Sequence, residues 1–156
     1  MSTDRFDSVR RAWANAKPGH FMGRGHPIGD FLEAHEWRVL EEEKGRLRLQ
    51  AHLPKHVRNL WEQLFGGFTG TYVDFVALHT VRAGTDRSRD WSYRLATTNM
   101  RIDYFDPVLG PHFILESQLL KERGRTCFVE VRFLDAAGHL CVFALVTMRK
   151  LALAAS

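Results

Sequence analysis

Catalytic signature motifs, metal-ligand spacings and long hydrophobic runs are all missing from this sequence. No apolar run approaches the roughly 20 residues that a membrane-spanning helix needs, and the first seven residues lack the layout of a signal peptide. We therefore expect a cytoplasmic protein with no membrane partner. The eight histidines show no His-Glu-x-x-His spacing, so no metal site is expected. A Gly-x-Ser-x-Gly elbow and a phosphate-binding glycine loop are also absent, which argues against a serine hydrolase of that type and against a nucleotide-phosphate site.

Cysteine is scarce, and its placement does not favour a disulfide. Cys127 and Cys141 lie on either side of a turn predicted at 135–138. The register that this turn predicts places Cys127 opposite Val146 and Cys141 opposite Arg132, so the two thiols are not cross-strand partners. We expect two free, buried thiols, as is usual in a cytoplasmic protein.

Excess charge of one sign is small, because 22 Lys and Arg residues against 18 Asp and Glu give a net charge of +4. No nucleic-acid motif accompanies it, so no nucleic-acid partner is expected. The length of 156 residues and a hydrophobic fraction of 45% fit a globular protein. We divide it into an N-terminal helix with a flexible lead-in (1–26) and a main domain (27–156). A basic run at 82–90 is interpreted as a solvated loop or as a site for an anionic ligand.

The most informative segment is 65–82, which is apolar almost throughout but carries Asp74 at its centre. The segment is too short to cross a bilayer, and it is apolar on all sides, as a helix wrapped by the rest of a domain would be. A carboxylate in such a helix must be paired, hydrogen-bonded or protonated, because desolvating an isolated charge is very costly. Asp74 is therefore the first candidate for chemistry.

Strand-like alternation surrounds this helix and predicts the fold class. Helices are predicted at 4–16 and 28–34, and strands at 36–42, 46–53, 93–104, 113–121, 126–134 and 140–151. Short turns separate the last four strands, so they form an antiparallel run of hairpins. The order predicts an α+β domain in which a six-stranded antiparallel sheet wraps around one long apolar helix.

Several short elements occur in the order and spacing of a known family. They are Asn59, Phe65-Gly66-Gly67, Asp74, and the segments 100–107, 121–125 and 135–138. In these elements the sequence resembles the hotdog fold, and specifically the PaaI-like acyl-CoA thioesterases of the phenylacetate-degradation type. The resemblance covers roughly residues 27–151. It departs from the family at Phe65, where the family most often has His.

This resemblance implies hydrolysis of an acyl-CoA thioester. Glycines at a helix start allow close approach to free backbone N–H groups, and the family implies the Gly66 N–H as the donor to the oxyanion. Close packing at the helix start is the alternative explanation of the glycine pair, and the spacing of Asn59, the glycines and Asp74 disfavours it. Asp74 would act as general base or as nucleophile. Asn59 would position the carbonyl or the water, although a turn-capping role explains it equally well.

The remaining candidates concern positioning and binding. Thr97 aligns with a hydroxyl residue that places water in some relatives, although β-propensity alone also explains a Thr there. Phe65 and Gly67 would contact substrate at the helix start. Arg123 and Arg125, on a basic hairpin, would meet the phosphates of coenzyme A, or are simply a solvated hairpin tip. No cofactor is expected beyond the coenzyme A that is part of the substrate.

Helix geometry predicts that the site is shared between subunits. Gly67 and Asp74 lie on one helix face about 10 Å apart along the axis, so one thioester carbon cannot contact both. The same face carries Gly70 and Ala77, which are small enough to let a second helix approach. We therefore expect a homo-oligomer, either a dimer or a dimer of dimers, and the family likewise places its sites across the dimer interface.

Two alternatives to an acyl-CoA thioesterase remain open. One is a non-catalytic acyl-CoA-binding hotdog protein, which Phe65 favours because an aromatic side chain there would reshape the pocket. The other is a structural oligomer in which a neighbour neutralises Asp74. The acyl group also stays open, because aromatic residues along the helix suit either an aryl or a medium fatty chain.

Overall fold

The computed structural model describes residues 4–85 and 92–153. Within these ranges the chain forms three α-helices, six β-strands and two short 3₁₀ turns. The helices are α1 (Asp4–Ala14), α2 (Pro27–Phe31) and α3 (Gly66–Val81). The strands are β1 (Arg38–Glu43), β2 (Arg46–His52), β3 (Tyr93–Tyr104), β4 (His112–Arg123), β5 (Thr126–Leu134) and β6 (Leu140–Ala152). The 3₁₀ turns are Ala34–Glu36 and Lys55–Val57.

All six strands join one antiparallel sheet in the order β1-β2-β4-β5-β6-β3. The predicted α+β class and the sheet around one long helix are therefore confirmed. The 12-residue strand β3 lies at one edge, next to β6. Alternating side chains of the strands point inward onto α3, which is why β2 and β5 alternate between buried and more exposed positions along their length.

Aromatic rings fill the space between the sheet and α3. The Trp37 and Tyr72 rings stack with centroids 5.6 Å apart, and both residues are fully buried. The Tyr72 hydroxyl donates a hydrogen bond to the His52 carbonyl at 3.0 Å, which ties α3 to the end of β2. These contacts fix the distance between α3 and the sheet, and so they fix the position of the residues on the opposite face of the helix.

The predicted register of the last hairpin is wrong by two residues. In the structure Cys127 pairs with Met148 rather than with Val146, and Arg132 pairs with Phe143 rather than with Cys141. Leu134 pairs with Leu140, so the turn is one residue longer than predicted, and an irregularity between Phe133 and Leu134 shifts the register by one more residue. Neither shift can be inferred from turn residues alone. The expectation of two free, buried thiols is confirmed for Cys127 and Cys141.

The segment that links α1 to α2 is packed rather than flexible. Phe21 and Met22 are both 1% exposed and belong to the main hydrophobic core. The Phe21 N–H donates to the Trp37 carbonyl at 2.9 Å, which fixes this segment beside β1. The expectation of a flexible lead-in therefore does not hold for these residues.

One stripe of α3 is left open by the rest of the chain. Gly67 is exposed, and Gly70, Asp74 and Leu78 are only half-buried, whereas Ala77 is fully buried against the sheet. The prediction that Ala77 shares the Asp74 face is therefore wrong, and the chain covers α3 on most but not all of its sides. None of the helices within the described residues is long and apolar enough to span a membrane. Residues 86–90 of the predicted basic loop lie outside the described residues.

Candidate functional site

The first turn of α3 presents backbone N–H groups without an internal partner. Phe65 is the N-cap residue, and its side chain accepts no hydrogen bond from the helix. Two bonds hold the approach to the helix: the Phe65 N–H donates to Val57 O, and the Leu64 N–H donates to Val108 O, both at 2.9 Å. The N–H groups of Gly66 and Gly67, at the first two helical positions, have no acceptor within α3. This terminus is suited to an oxygen with negative charge.

The Phe65 ring lies over this terminus. It is 53% exposed, and a Cβ added at Gly67 would come within 3.0 Å of its Cε1 atom. A Cβ added at Gly66 would meet only the Tyr104 ring, at 3.9 Å, and the Tyr104 hydroxyl donates to the Gly66 carbonyl at 2.9 Å. A side chain at Gly67 would therefore require the exposed Phe65 ring to shift, whereas Gly66 has room for a side chain.

Asp74 faces a cavity of about 430 Å³ on the open stripe of α3. Gly67, Gly70 and Leu78 line it along the helix, and Met100 lines it from β3. The structure brings Asp74 and Thr97 together, because the Thr97 hydroxyl donates a hydrogen bond to Asp74 Oδ1. Asp74 is half-buried rather than enclosed, so its carboxylate is both held by the protein and open to a ligand.

Thr97 reaches Asp74 from the edge of the sheet. Its strand pairs regularly with β6 except between Thr97 and Asn99, where the register shifts. Irregularities of this kind redirect a side chain and are common beside active sites. Here the register shift begins at the residue whose hydroxyl donates to the Asp74 carboxylate.

His26 is a site residue that sequence reasoning missed. It caps α2, where its Nδ1 atom accepts the Gly29 N–H at 3.1 Å, and it lines the Asp74 cavity. Burial lowers the pKa of His26, although the nearby Asp30 acts in the opposite direction. A neutral ring with an accepting Nδ1 carries its proton on Nε2, so His26 offers a donor near the cavity. Its position just before Pro27 was the available signal for a capping role, but the contact with α3 is tertiary.

Asn59 serves the loop before α3. Its Oδ1 atom accepts the N–H groups of Trp61 at 2.9 Å and of Gln63 at 3.1 Å. Its own N–H donates to the Gln63 carbonyl at 2.7 Å. These bonds are those of the turn-capping alternative, and Asn59 does not line the Asp74 cavity.

The basic hairpin does not line the Asp74 cavity of its own chain. Arg123 ends β4 and Arg125 follows the turn, and both are exposed. The Arg125 carbonyl accepts the Lys150 N–H at 2.7 Å, which ties the turn to β6. Among the residues that the structure describes, no group of three or more His, Cys, Asp or Glu side chains is arranged to hold a metal ion.

Comparison with known proteins agrees with this geometry. The family model of the thioesterase superfamily matches residues 63–142, about half of the chain and the part that holds α3 and β3–β5. The chain therefore belongs to the thioesterase superfamily, and its fold is the hotdog fold. No protein of curated function matches the sequence significantly.

Solved structures share the fold at low sequence identity. A phenylacetic acid degradation-related protein from Ralstonia eutropha is 17% identical with a TM-score of 0.66, over 78% of this chain and 88% of that one. A hypothetical thioesterase from Streptococcus pneumoniae, solved with coenzyme A, is 13% identical with a TM-score of 0.62, over 75% and 90% of the two chains. A Streptococcus mutans protein bound to acetyl-CoA is 16% identical with a TM-score of 0.61, also over 75% and 90%.

We predict that removing the Thr97 hydroxyl lowers thioesterase activity. Thr97→Val keeps the shape of the side chain but removes the hydrogen bond that orients Asp74, so kcat should fall about tenfold, as expected for a lost bond to a charged group. Thr97→Ser should restore most of the rate. Thr98→Val is the matched control, because the Thr98 hydroxyl donates to the Thr147 carbonyl and not to Asp74. Equal rates for Thr97→Val and Thr98→Val would contradict this role.

Proposed function

We propose that the protein hydrolyses acyl-CoA thioesters to a free acid and coenzyme A. The observation that carries this proposal is the Asp74 carboxylate, which is hydrogen-bonded by Thr97 and faces an open cavity on α3. Membership of the thioesterase superfamily supports the reaction type. Coenzyme A and acetyl-CoA in the two streptococcal structures of the same fold support a CoA thioester as the substrate class.

Hydrolysis needs both a source of the new C–O bond and a donor to the oxyanion. Asp74 either takes a proton from water as the water oxygen attacks the thioester carbon, or attacks that carbon itself to form an anhydride that water then opens. In both routes the C–S bond breaks, and the departing thiolate takes up the proton from water. The free N–H of Gly66 at the positive end of α3 stabilises the oxyanion that forms in between.

These two groups must come from different subunits if both act on one substrate. Gly66 and Asp74 are separated by eight residues, or about 12 Å along the helix axis. A thioester carbon within about 3 Å of both groups is therefore excluded within one chain. Two α3 helices that lie side by side, joined across the open stripe, would bring Gly66 of one chain to Asp74 of the other.

The open stripe is suited to such an approach. Gly67 and Gly70 lie on it, and a Cβ at Gly70 would meet only the Ile102 and Met100 side chains at 3.7 Å. A helix face with small residues allows close packing of a second helix, and the apolar side chains beside it gain from being covered. We therefore include a homodimer, or a dimer of such dimers, in the proposal.

A second candidate is a non-catalytic acyl-CoA-binding protein. The position of the Phe65 ring over Gly67 favours it, because a ring there restricts access to the N–H groups at the start of α3. In that case the cavity beside Asp74 would hold a thioester without activating it. Turnover separates the two candidates directly.

The first prediction of this proposal concerns Asp74. The protein should release thiol from acyl-CoA substrates, and Asp74→Asn should lower kcat by about 100-fold or more, the usual range for loss of a general base. Asp103→Asn is a matched control, because Asp103 is half-buried on β3 and pairs with Arg101 at 3.3 Å, away from the cavity. Thermal stabilisation by acyl-CoA without any thiol release in the unmodified protein would establish the binding protein instead.

The second prediction concerns the amide donor. Gly66→Pro removes the N–H but suits the first helical position, and Phe65 already has the extended backbone (φ −63°, ψ 125°) that precedes proline. We expect kcat to fall about 100-fold, as for loss of one oxyanion donor. Gly66→Ala keeps the N–H, has room for the new Cβ and should stay close to the unmodified rate. Equal rates for the two variants, at equal thermal stability, would remove Gly66 from the mechanism.

A further inference from the structure

A second cavity of about 210 Å³ adjoins the Asp74 cavity. We call it the tail chamber, and define it by six of its lining residues: Val9, Trp13, Leu78, Tyr93, Leu95 and Leu153. They come from α1, from α3, from the start of β3 and from the residue that follows β6. The walls are therefore mainly hydrocarbon and aromatic rings.

The two cavities share part of their walls. Leu78 and His26 line both of them. Leu78 lies one helical turn beyond Asp74, about 6 Å further along the axis, on the side away from Gly66. A group attached to a carbonyl at Asp74 can therefore extend past Leu78 into the tail chamber.

The side chains of His79, Arg82 and Arg94 also line the tail chamber. The His79 imidazole Nδ1 atom lies 2.6 Å from the Phe75 carbonyl. Burial lowers the pKa of His79 to about 3. The Arg82 guanidinium is already engaged by Tyr93, donating to its carbonyl at 2.8 Å and lying 4.8 Å from its ring centroid. With the His79 ring neutral, the Arg82 guanidinium engaged and Arg94 exposed to solvent, the apolar residues of the wall leave the tail chamber suited to a neutral occupant.

We propose that the tail chamber receives the acyl tail of the thioester, and that this tail is an uncharged hydrocarbon of about seven carbons beyond the carbonyl. The inference rests on the proposed function, because it takes the carbonyl to lie at Asp74. At about 30 Å³ for each group the size of a water molecule, 210 Å³ holds roughly seven such groups. Octanoyl and phenylacetyl tails both meet this description.

The N-terminal helix is then a specificity element of this particular chain. Val9 and Trp13 belong to α1, and Leu153 follows β6, so all three lie outside residues 63–142 that match the family. Trp13 contacts His79 edge-on with ring centroids 4.8 Å apart, which sets α1 against α3. Removal or movement of α1 would open the chamber without touching Asp74.

Filling the tail chamber tests the proposal. Val9→Phe and Leu153→Phe place a ring in it. The matched controls are Val39→Phe, at another half-buried valine, and Leu145→Phe, since Leu145 is 38% exposed and Leu153 is 37% exposed. For each protein, kcat/KM is measured with acetyl-CoA, octanoyl-CoA, phenylacetyl-CoA and glutaryl-CoA, and folding is checked by thermal denaturation.

In the unmodified protein, at least one neutral long tail should exceed acetyl-CoA in kcat/KM by roughly tenfold or more, because each buried methylene adds roughly threefold to fourfold. This ratio should fall about tenfold in both filled variants and stay within about twofold in the controls. A preference for acetyl-CoA or glutaryl-CoA would contradict the proposal that the tail chamber binds a neutral acyl tail. Equal ratios of kcat/KM, long tail to acetyl, in the filled and control variants would contradict it as well.

If no substrate is turned over, calorimetric binding decides instead. Octanoyl-CoA or phenylacetyl-CoA binding more tightly than free coenzyme A, with the advantage lost in Val9→Phe but kept in Val39→Phe, would support the chamber while removing the hydrolytic function. Equal affinity for acyl-CoA and coenzyme A would contradict the proposal that the tail chamber binds the acyl tail.

Discussion

A helix that is apolar on every face must be covered on every face, and this chain covers only part of α3. One side of α3 packs against the sheet, where Trp37, Tyr72 and the inward side chains of the strands are buried. The other side keeps an open stripe with a carboxylate in it, and Thr97 holds that carboxylate from the edge strand. The cavity, the free helix start and the proposed second copy all follow from this incomplete cover.

The candidate functional groups are arranged in order along α3. The start of α3 offers N–H groups, its middle offers Asp74, and its last turns lead past Leu78 to the tail chamber. In the proposed mechanism a thioester meets the N–H groups of one α3 helix and the carboxylate of a partner's α3 helix, because the two groups lie too far apart within one chain.

Much of the fold was predictable because its signals are local. The bounds of β3 and β5 agree with the predicted strands at 93–104 and 126–134, since alternation and turn residues mark both ends. The register of the last hairpin was not predictable, because an irregularity at Leu134 leaves no mark on the pattern. Packing of Phe21 into the core was missed because glycine and proline around it look like a flexible connector.

The site residues also differ in how well the sequence predicted them. Asp74 stands out because an acid in an apolar helix is rare, and Thr97 came from the family resemblance. His26 meets α3 through a ring contact with Phe75, 49 residues away in sequence, which no local pattern contains. Asn59 is the opposite case, because the hydrogen bonds of its side chain all lie within its own local turn.

Subunit complementation tests the central claim most directly. Asp74→Asn and Gly66→Pro are co-expressed, and thiol release is compared with that of each variant alone. If Asp74 and Gly66 of different subunits form one site, half of the randomly mixed dimers carry one intact site of two, and activity should recover to about a quarter of the unmodified rate. Activity no higher than that of the separate variants, with mixed dimers demonstrably present, would contradict a site shared between subunits.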